Sequence, residues 1–230
     1  MAKKTFDINS SIADLMTGMM FLFIIALVAY MLNFNDKHSQ ENQLSSQMRD
    51  TNYLTADFVR KLSKFLKSAG VAHTVSEKKG VIAFTEESVA FLSGGASIKT
   101  EQANNLASIK VILESLVPCY LDGGVQRFFN ICQPYMKGQL DSIVIEGHTD
   151  NVPIRSKKID NLDLSFSRAK AFYEQVTSEK IRNLKNSSGN KIFMVLGAGS
   201  NQPINDYSVP TSDSENRRIE LRFIMNRPWI

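Results

Sequence analysis

The sequence predicts one membrane-spanning helix, a helical connector and a C-terminal α/β sandwich. Three observations predict it. Residues 15–32 form an uncharged and almost wholly apolar run; residues 38–69 contain neither Pro nor Gly and repeat apolar positions every three or four residues; and beyond Gly70 short β-type runs alternate with helical ones. The whole-chain figures hide this division. With 230 residues, 43% of them hydrophobic and 22% charged, and a net charge of +4, the chain reads as an average globular protein. That excludes collagen, a disordered chain, a multi-pass transporter and a disulfide-dense mini-protein. The mean hydropathy of −0.16 sums one bilayer-length helix and a polar remainder. No domain-scale run of Lys and Arg speaks for nucleic acid as a directly bound partner.

The first element is the apolar helix. Residues 15–32 make about 27 Å of helix and residues 12–32 about 31 Å, enough to cross a hydrocarbon core. Lys3 and Lys4 resemble the start of a signal peptide, but Asp14 lies just inside the apolar run and no A-x-A site precedes Asn33-Phe34-Asn35-Asp36. The expectation is an uncleaved anchor over residues 12–34 after a tail of residues 1–11. The two lysines favour a cytoplasmic N-terminus, which sends the rest of the chain across the membrane. Cys119 and Cys132 are the two cysteines, so no N-terminal lipidated cysteine is expected. Asp14 is the most informative residue. A carboxylate beside hydrocarbon must face protein or water, or carry a proton part of the time. The plainer reading sets Asp14 at headgroup level as a marker of the helix start.

The segment Ala13-Asp14-Leu15-Met16-Thr17-Gly18-Met19-Met20-Phe21-Leu22-Phe23 resembles the A-D-[FL]-M-T-x-[ML]-M-x-F-F segment of MotB-like stator subunits. Within that family it is most similar to the ZorB type of Zorya anti-phage systems. The resemblance implies that Asp14 binds a translocated proton, with sodium the alternative ion, and that no other cofactor is needed. Thr17 and Gly18, at i+3 and i+4, share its face, where a hydroxyl and a small residue let a partner helix approach; Asp14 and Thr17 are the expected ion-translocating pair. A lone helix cannot build an ion path. The implied partner is a MotA-like or ZorA-like multi-pass subunit, five per two copies of this chain, which makes the chain a homodimer within the complex.

Residues 35–70 form the connector. Leu44, Met48, Thr51, Leu54 or Thr55, Phe58, Leu62 and Phe65 or Leu66 recur at helical spacing. Two copies pairing through this stripe would make a short coiled-coil stalk, while the polar first half suits a flexible tether equally.

Residues 71–230 carry the α/β pattern. Residues 71–75 and 81–84 flank Glu77-Lys78-Lys79-Gly80 as a hairpin, 101–116 has helical spacing, and 142–146, 191–196 and 219–225 read as strands. Residues 165–179 read as a second helix with Phe166, Ala169, Phe172 or Tyr173, and Val176 on one face. Two stretches carry a second resemblance: Ile145-Glu146-Gly147-His148-Thr149-Asp150-Asn151-Val152-Pro153 with Asn161-Leu162-Asp163-Leu164-Ser165-Phe166-Ser167-Arg168-Ala169, and Gly197-Ala198-Gly199 through Pro203 to Glu215-Asn216-Arg217-Arg218-Ile219-Glu220. Together they resemble the G-H-T-D-N-x-P, N-x-x-L-S-x-x-R-A and E-N-R-R-[IV]-E motifs of OmpA-like peptidoglycan-binding domains. The resemblance implies an OmpA-like α/β sandwich that grips the diaminopimelate of a stem peptide, with Asp150 and Arg168 as main anchors and Thr149, Asn151, Leu164, Arg217 and Arg218 around them. Ser165 reads as an N-cap with Leu164 stapled onto Ala169, which puts Arg168 in the first helical turn, where helix N–H groups join it on a carboxylate. Asp150 then takes the ammonium. The alternatives are an intramolecular Asp150–Arg168 pair, and strand-end ion pairs for Arg217 and Arg218. His148 beside Asp150 is weak evidence for a metal, since His38 and His73 are the other histidines.

Residues 117–138 depart from the family as an insertion holding both cysteines. In an oxidising, extracytoplasmic setting a Cys119–Cys132 disulfide closing this loop is the natural reading. Phe128, Phe129 and Ile131 read as core or as a contact surface. The functional expectation is a stator-type subunit of a proton-driven inner-membrane motor, anchored to peptidoglycan by a periplasmic domain and not an enzyme, of the anti-phage type. The alternatives are a flagellar stator subunit and a passive tether between membrane and wall.

Overall fold

The computed structural model describes residues 8–122, 132–154 and 159–226; within its first helix the side chains of residues 8–14, 35–36 and 38–49 lie outside the description. Helix α1 runs Ile8–Ser68. The chain forms two compact units, Met1–Arg49 and Asp50–Ile230. In the first, Leu15–Phe34 is long and apolar enough to cross a membrane, and its side chains are exposed. Asp14 lies in helix α1 with its side chain outside the description, and Thr17 is exposed.

The second unit contains the end of α1 as well as the α/β domain. Phe58, Val59, Leu62 and Leu66 are buried in its core, and the Phe58 ring lies 4.6 Å from Tyr120 and 4.5 Å from Phe223. The half of the expected connector stripe with the larger apolar residues therefore packs as part of the domain. Leu44 and Met48 lie outside the described side chains.

Strands β1 (Thr74–Ser76), β2 (Val81–Thr85), β3 (Leu140–His148), β4 (Phe193–Gly199) and β5 (Arg218–Met225) form one sheet in the order β1-β2-β5-β3-β4. Strands β3 and β4 are parallel, and the other neighbours antiparallel. The hairpin turn closes through Gly80 at φ +65, a conformation that glycine adopts without strain. Helices α2 (Ala103–Leu116), α3 (Asn161–Val176) and the short α4 (Glu179–Arg182) complete the unit. Alternation along the strands makes two faces. Ile143, Ile145, Ile219, Leu221, Phe223, Ile82 and Phe84 are buried and share one face by register, forming the core with Leu113, Phe172 and Val176. The other face carries Glu146, Glu220 and Arg222 beside the exposed Met194 and Leu196.

Helix α3 starts earlier than the sequence spacing suggested. Asp160, not Ser165, is the N-cap: its carboxylate accepts from the Asp163 N–H at 2.9 Å while Asp163 accepts from the Asp160 N–H at 3.2 Å. This reciprocal box satisfies two otherwise unpaired donors and places two acids at the positive end of the helix dipole. Ser165 is instead fully buried at the helix–sheet crossing, where its hydroxyl donates to Leu162 O at 2.8 Å and accepts from the Gly199 N–H at 2.9 Å.

Cys119 and Cys132 are disulfide-bonded with a Cα–Cα distance of 5.0 Å. Cys119 belongs to a 3-10 turn, Val117–Tyr120, that follows α2 directly. Phe128, Phe129 and Ile131 lie outside the described residues.

Candidate binding groove

The ends of β2, β3, α3 and β5 converge on a groove of about 790 Å³ lined by Glu86, Phe91, Lys99, Thr149, Asp150, Leu164, Arg168 and Arg217 among others. Gly147 and Gly197 let α3 lie close enough to form its wall. A Cβ on Gly147 would stand 2.1 Å from the Ser165 carbonyl oxygen, and one on Gly197 would stand 2.7 Å from the Phe166 nitrogen. Neither position has room for a side chain.

Arg168 is 6% exposed. It lies two turns into α3, so the helix N–H groups do not join it; Asp160 and Asp163 occupy that end instead. Its Nε donates to Gly95 O at 3.0 Å and its guanidinium stacks over the Phe91 ring at 5.1 Å. Among the described residues that carbonyl is its one hydrogen-bond partner, leaving both Nη groups available in a groove that mixes apolar walls such as Phe91 and Leu164 with the charges of Glu86, Lys99, Asp150 and Arg217. Burial lowers its pKa first of all, with Arg217 adding to the effect while Glu86 and Asp150 oppose it. A desolvated guanidinium with an open fork is matched by a planar carboxylate.

Asp150 pairs with Arg217, not with Arg168. Arg217 Nη1 lies 2.5 Å from Asp150 Oδ2 and also donates to Ser212 Oγ at 2.8 Å, while Nε and Nη2 make parallel bonds of 2.7 and 2.9 Å to the two Glu86 oxygens. The result is a carboxylate–guanidinium–carboxylate chain across one side of the groove. Hydrogen bonding to Glu86 is the main cause that raises the Arg217 pKa, and hydrogen bonding to Arg217 holds Glu86 below the usual carboxylate range. Asp150 Oδ1 also accepts from the Val152 N–H at 3.3 Å.

The remaining expected residues divide. Leu164 and Thr149 line the groove. Asn151 is a loop clamp: its side chain bonds the Thr211 N–H at 2.7 Å and the carbonyls of Tyr207 and Val209 at 3.1 and 3.0 Å. Arg218 turns to the opposite sheet face, where its Nε bonds Glu220 Oε1 at 2.7 Å. There Arg222 Nη2 lies 3.2 Å from both Glu146 and Glu220, and His148 Nε2 lies 3.9 and 3.8 Å from the same two acids. The donor atoms of Glu146, His148 and Glu220 fall within 4.8 Å of one another. Arg218 and Arg222 already neutralise both acids and would repel a divalent cation, so the set has the chemistry of a salt-bridge cluster.

Glu86, Phe91 and Gly95 stand outside the motifs read from the sequence, and Asn161 entered there as a motif position with no role of its own. Asn161 Nδ2 holds the Asp150 and Val152 carbonyls at 3.2 Å each. A signal for the second wall was present in Ser93-Gly94-Gly95-Ala96 between Phe91 and Ile98, which are bridge partners around a tight turn with Gly94 at φ +67.

This fold and groove define an α/β domain whose groove sets an open guanidinium beside a shared acid, on a chain that also carries a bilayer-length apolar helix. Residues 126–217 match the OmpA family. Over 164 residues the chain is 27% identical to Motility protein B of Bacillus subtilis (strain 168), covering 70% of this chain and 52% of that protein. Over 188 residues it is 24% identical to the uncharacterized protein YtxE of the same organism, covering 81% of this chain and 62% of that one. The chain thus spans about half the length of the first of these relatives and under two thirds of the second. A crystal structure of a MotB-like protein from Desulfovibrio vulgaris has the same fold, with a TM-score of 0.50 and 18% identity over 78% of this chain and 98% of that one. The chain is MotB-like and carries an OmpA-family domain.

Proposed function

We propose that this chain is the wall-anchoring subunit of an ion-driven membrane motor. Its groove binds the diaminopimelate of peptidoglycan, and its apolar helix crosses the inner membrane with the C-terminal domain on the extracytoplasmic side. The observation that carries this reading is the open fork of Arg168 beside Asp150 in one groove. Diaminopimelate presents a carboxylate and an ammonium on the same carbon, and the groove presents a guanidinium and an acid to receive them. In this reading Asp14 exchanges protons against a MotA-like multi-pass partner, and two copies serve each complex. Fixing the domain to the wall lets such a complex deliver torque; the role is mechanical rather than enzymatic. Within the class we assign the anti-phage type, because Ile12 precedes Ala13-Asp14 where flagellar stators usually carry an aromatic residue.

Two measurements test it. Purified sacculi should retain the full chain, and free diaminopimelate should release it; indifference to diaminopimelate removes the ligand assignment. Asp14→Asn should leave assembly and wall binding intact while abolishing motor-dependent function. A fully active variant reduces the chain to a passive tether.

A further inference from the structure

Glu86 follows strand β2 directly and lies outside every motif that drew attention to the groove. Its two oxygens nonetheless take the two parallel bonds of Arg217, leaving Nη1 alone for Asp150. We infer that Glu86 is a specificity-determining residue: by holding Arg217 through its bidentate edge, it leaves Asp150 able to receive a cation and makes the groove prefer a zwitterion to a simple anion. The inference rests on the ligand reading above.

The charges of the groove explain why. Arg168, Arg217 and Lys99 stand against Asp150 and Glu86 around one cavity, a net excess of one positive charge. An incoming carboxylate meets Arg168, and an incoming ammonium meets an acid whose partner is shared. Without the Glu86 charge the excess becomes two, and Arg217 is free to close on Asp150 with its whole fork. The added positive charge repels an ammonium and attracts a carboxylate, and the closed Arg217 fork occupies the acid that an ammonium needs. The two halves of a zwitterion would therefore respond to the loss of Glu86 with opposite signs, which a general loosening of the site cannot produce.

The test is calorimetric titration of the full chain in detergent with meso-diaminopimelate and with its N,N′-diacetyl derivative, which keeps the carboxylates and lacks the ammonium groups. Glu86→Gln should bind meso-diaminopimelate about tenfold more weakly and the diacetyl compound more tightly, as expected for one unit charge at short range in a partly buried groove. Glu86→Asp, which keeps the charge, should retain the wild-type ratio of the two affinities. The ratio is the readout, because a folding defect lowers both affinities alike. An unchanged ratio in Glu86→Gln overturns the inference. Wild-type protein that binds neither compound overturns the groove reading itself, and this inference with it.

Discussion

Replacing His148 by Gln should flatten the pH dependence of stability of the Asp50–Ile230 unit. The imidazole is 1% exposed, and neither ring nitrogen has a hydrogen-bond partner among the described residues. Burial pushes its pKa down to about 4, with Arg218 and then Arg222 adding to the fall and Glu220 opposing it. Two acids within 3.8 and 3.9 Å do not reverse this, because Arg218 and Arg222 already pair with them. The folded state refuses a proton that the unfolded chain accepts near pH 6.5. The neutral histidine's contribution is therefore complete above pH 6.5 and is lost as pH falls toward 4. For one such group the loss between pH 7.5 and 5 is about 2 kcal/mol. With a urea slope of about 2 kcal/mol per molar, that lowers the unfolding midpoint by about 1 M. Glu86 does not blur this window: its folded pKa lies below the ordinary 4.5, so its stabilisation is lost only at more acid pH. Urea unfolding at pH 7.5 and 5 should show the full drop for wild type and little of it for His148→Gln. Parallel declines in the two proteins would refute the assignment.

Three further outcomes follow from the packing and the cross-link. Gly147→Ala sets a Cβ 2.1 Å from the Ser165 carbonyl, which forces α3 off the sheet; thermal melting should show a loss of about 3 kcal/mol, and a near-neutral variant would contradict the close approach. Cys119→Ser with Cys132→Ser opens a loop of sequence separation 13 and should cost about 3 kcal/mol, seen as a lower melting temperature that reductant reproduces in wild type only. Asp57→Asn removes the acid that bonds Lys61 and Tyr135, a partly exposed network, and should change stability by under about 1 kcal/mol; a larger loss in denaturant unfolding would mean that this network, rather than Phe58, holds the helix end.

Much of the fold could be read from residue patterns, because the alternation in β3 and β5 and the apolar repeat of α2 are local signals. The early start of α3 was hidden for a physical reason. Asp160 and Asp163 form a capping box built from two acids, while Leu164-Ser165 looked like a better staple and cap. Ser165 was needed elsewhere, as a buried bridge to Gly199. The groove was partly legible. Arg168, Asp150 and Leu164 come together as their motifs implied, but adjacency in sequence said nothing of faces. Arg217, the residue just before β5, turns into the groove, whereas Arg218 opens the strand on the face that carries Glu220 and Arg222. Glu86 is 131 positions from the arginine it holds, a distance that no local pattern spans. The same holds for Phe91 and Gly95, which meet Arg168 through the tertiary fold alone.

The central claim is that the Arg168 fork is the hand by which this chain holds the cell wall. The most direct measurement is cosedimentation of the full chain with purified sacculi, comparing wild type with Arg168→Ala. The account predicts that wild type sediments with the sacculi and that Arg168→Ala, still folded by circular dichroism, stays in the supernatant. Equal sedimentation of the two proteins would contradict it.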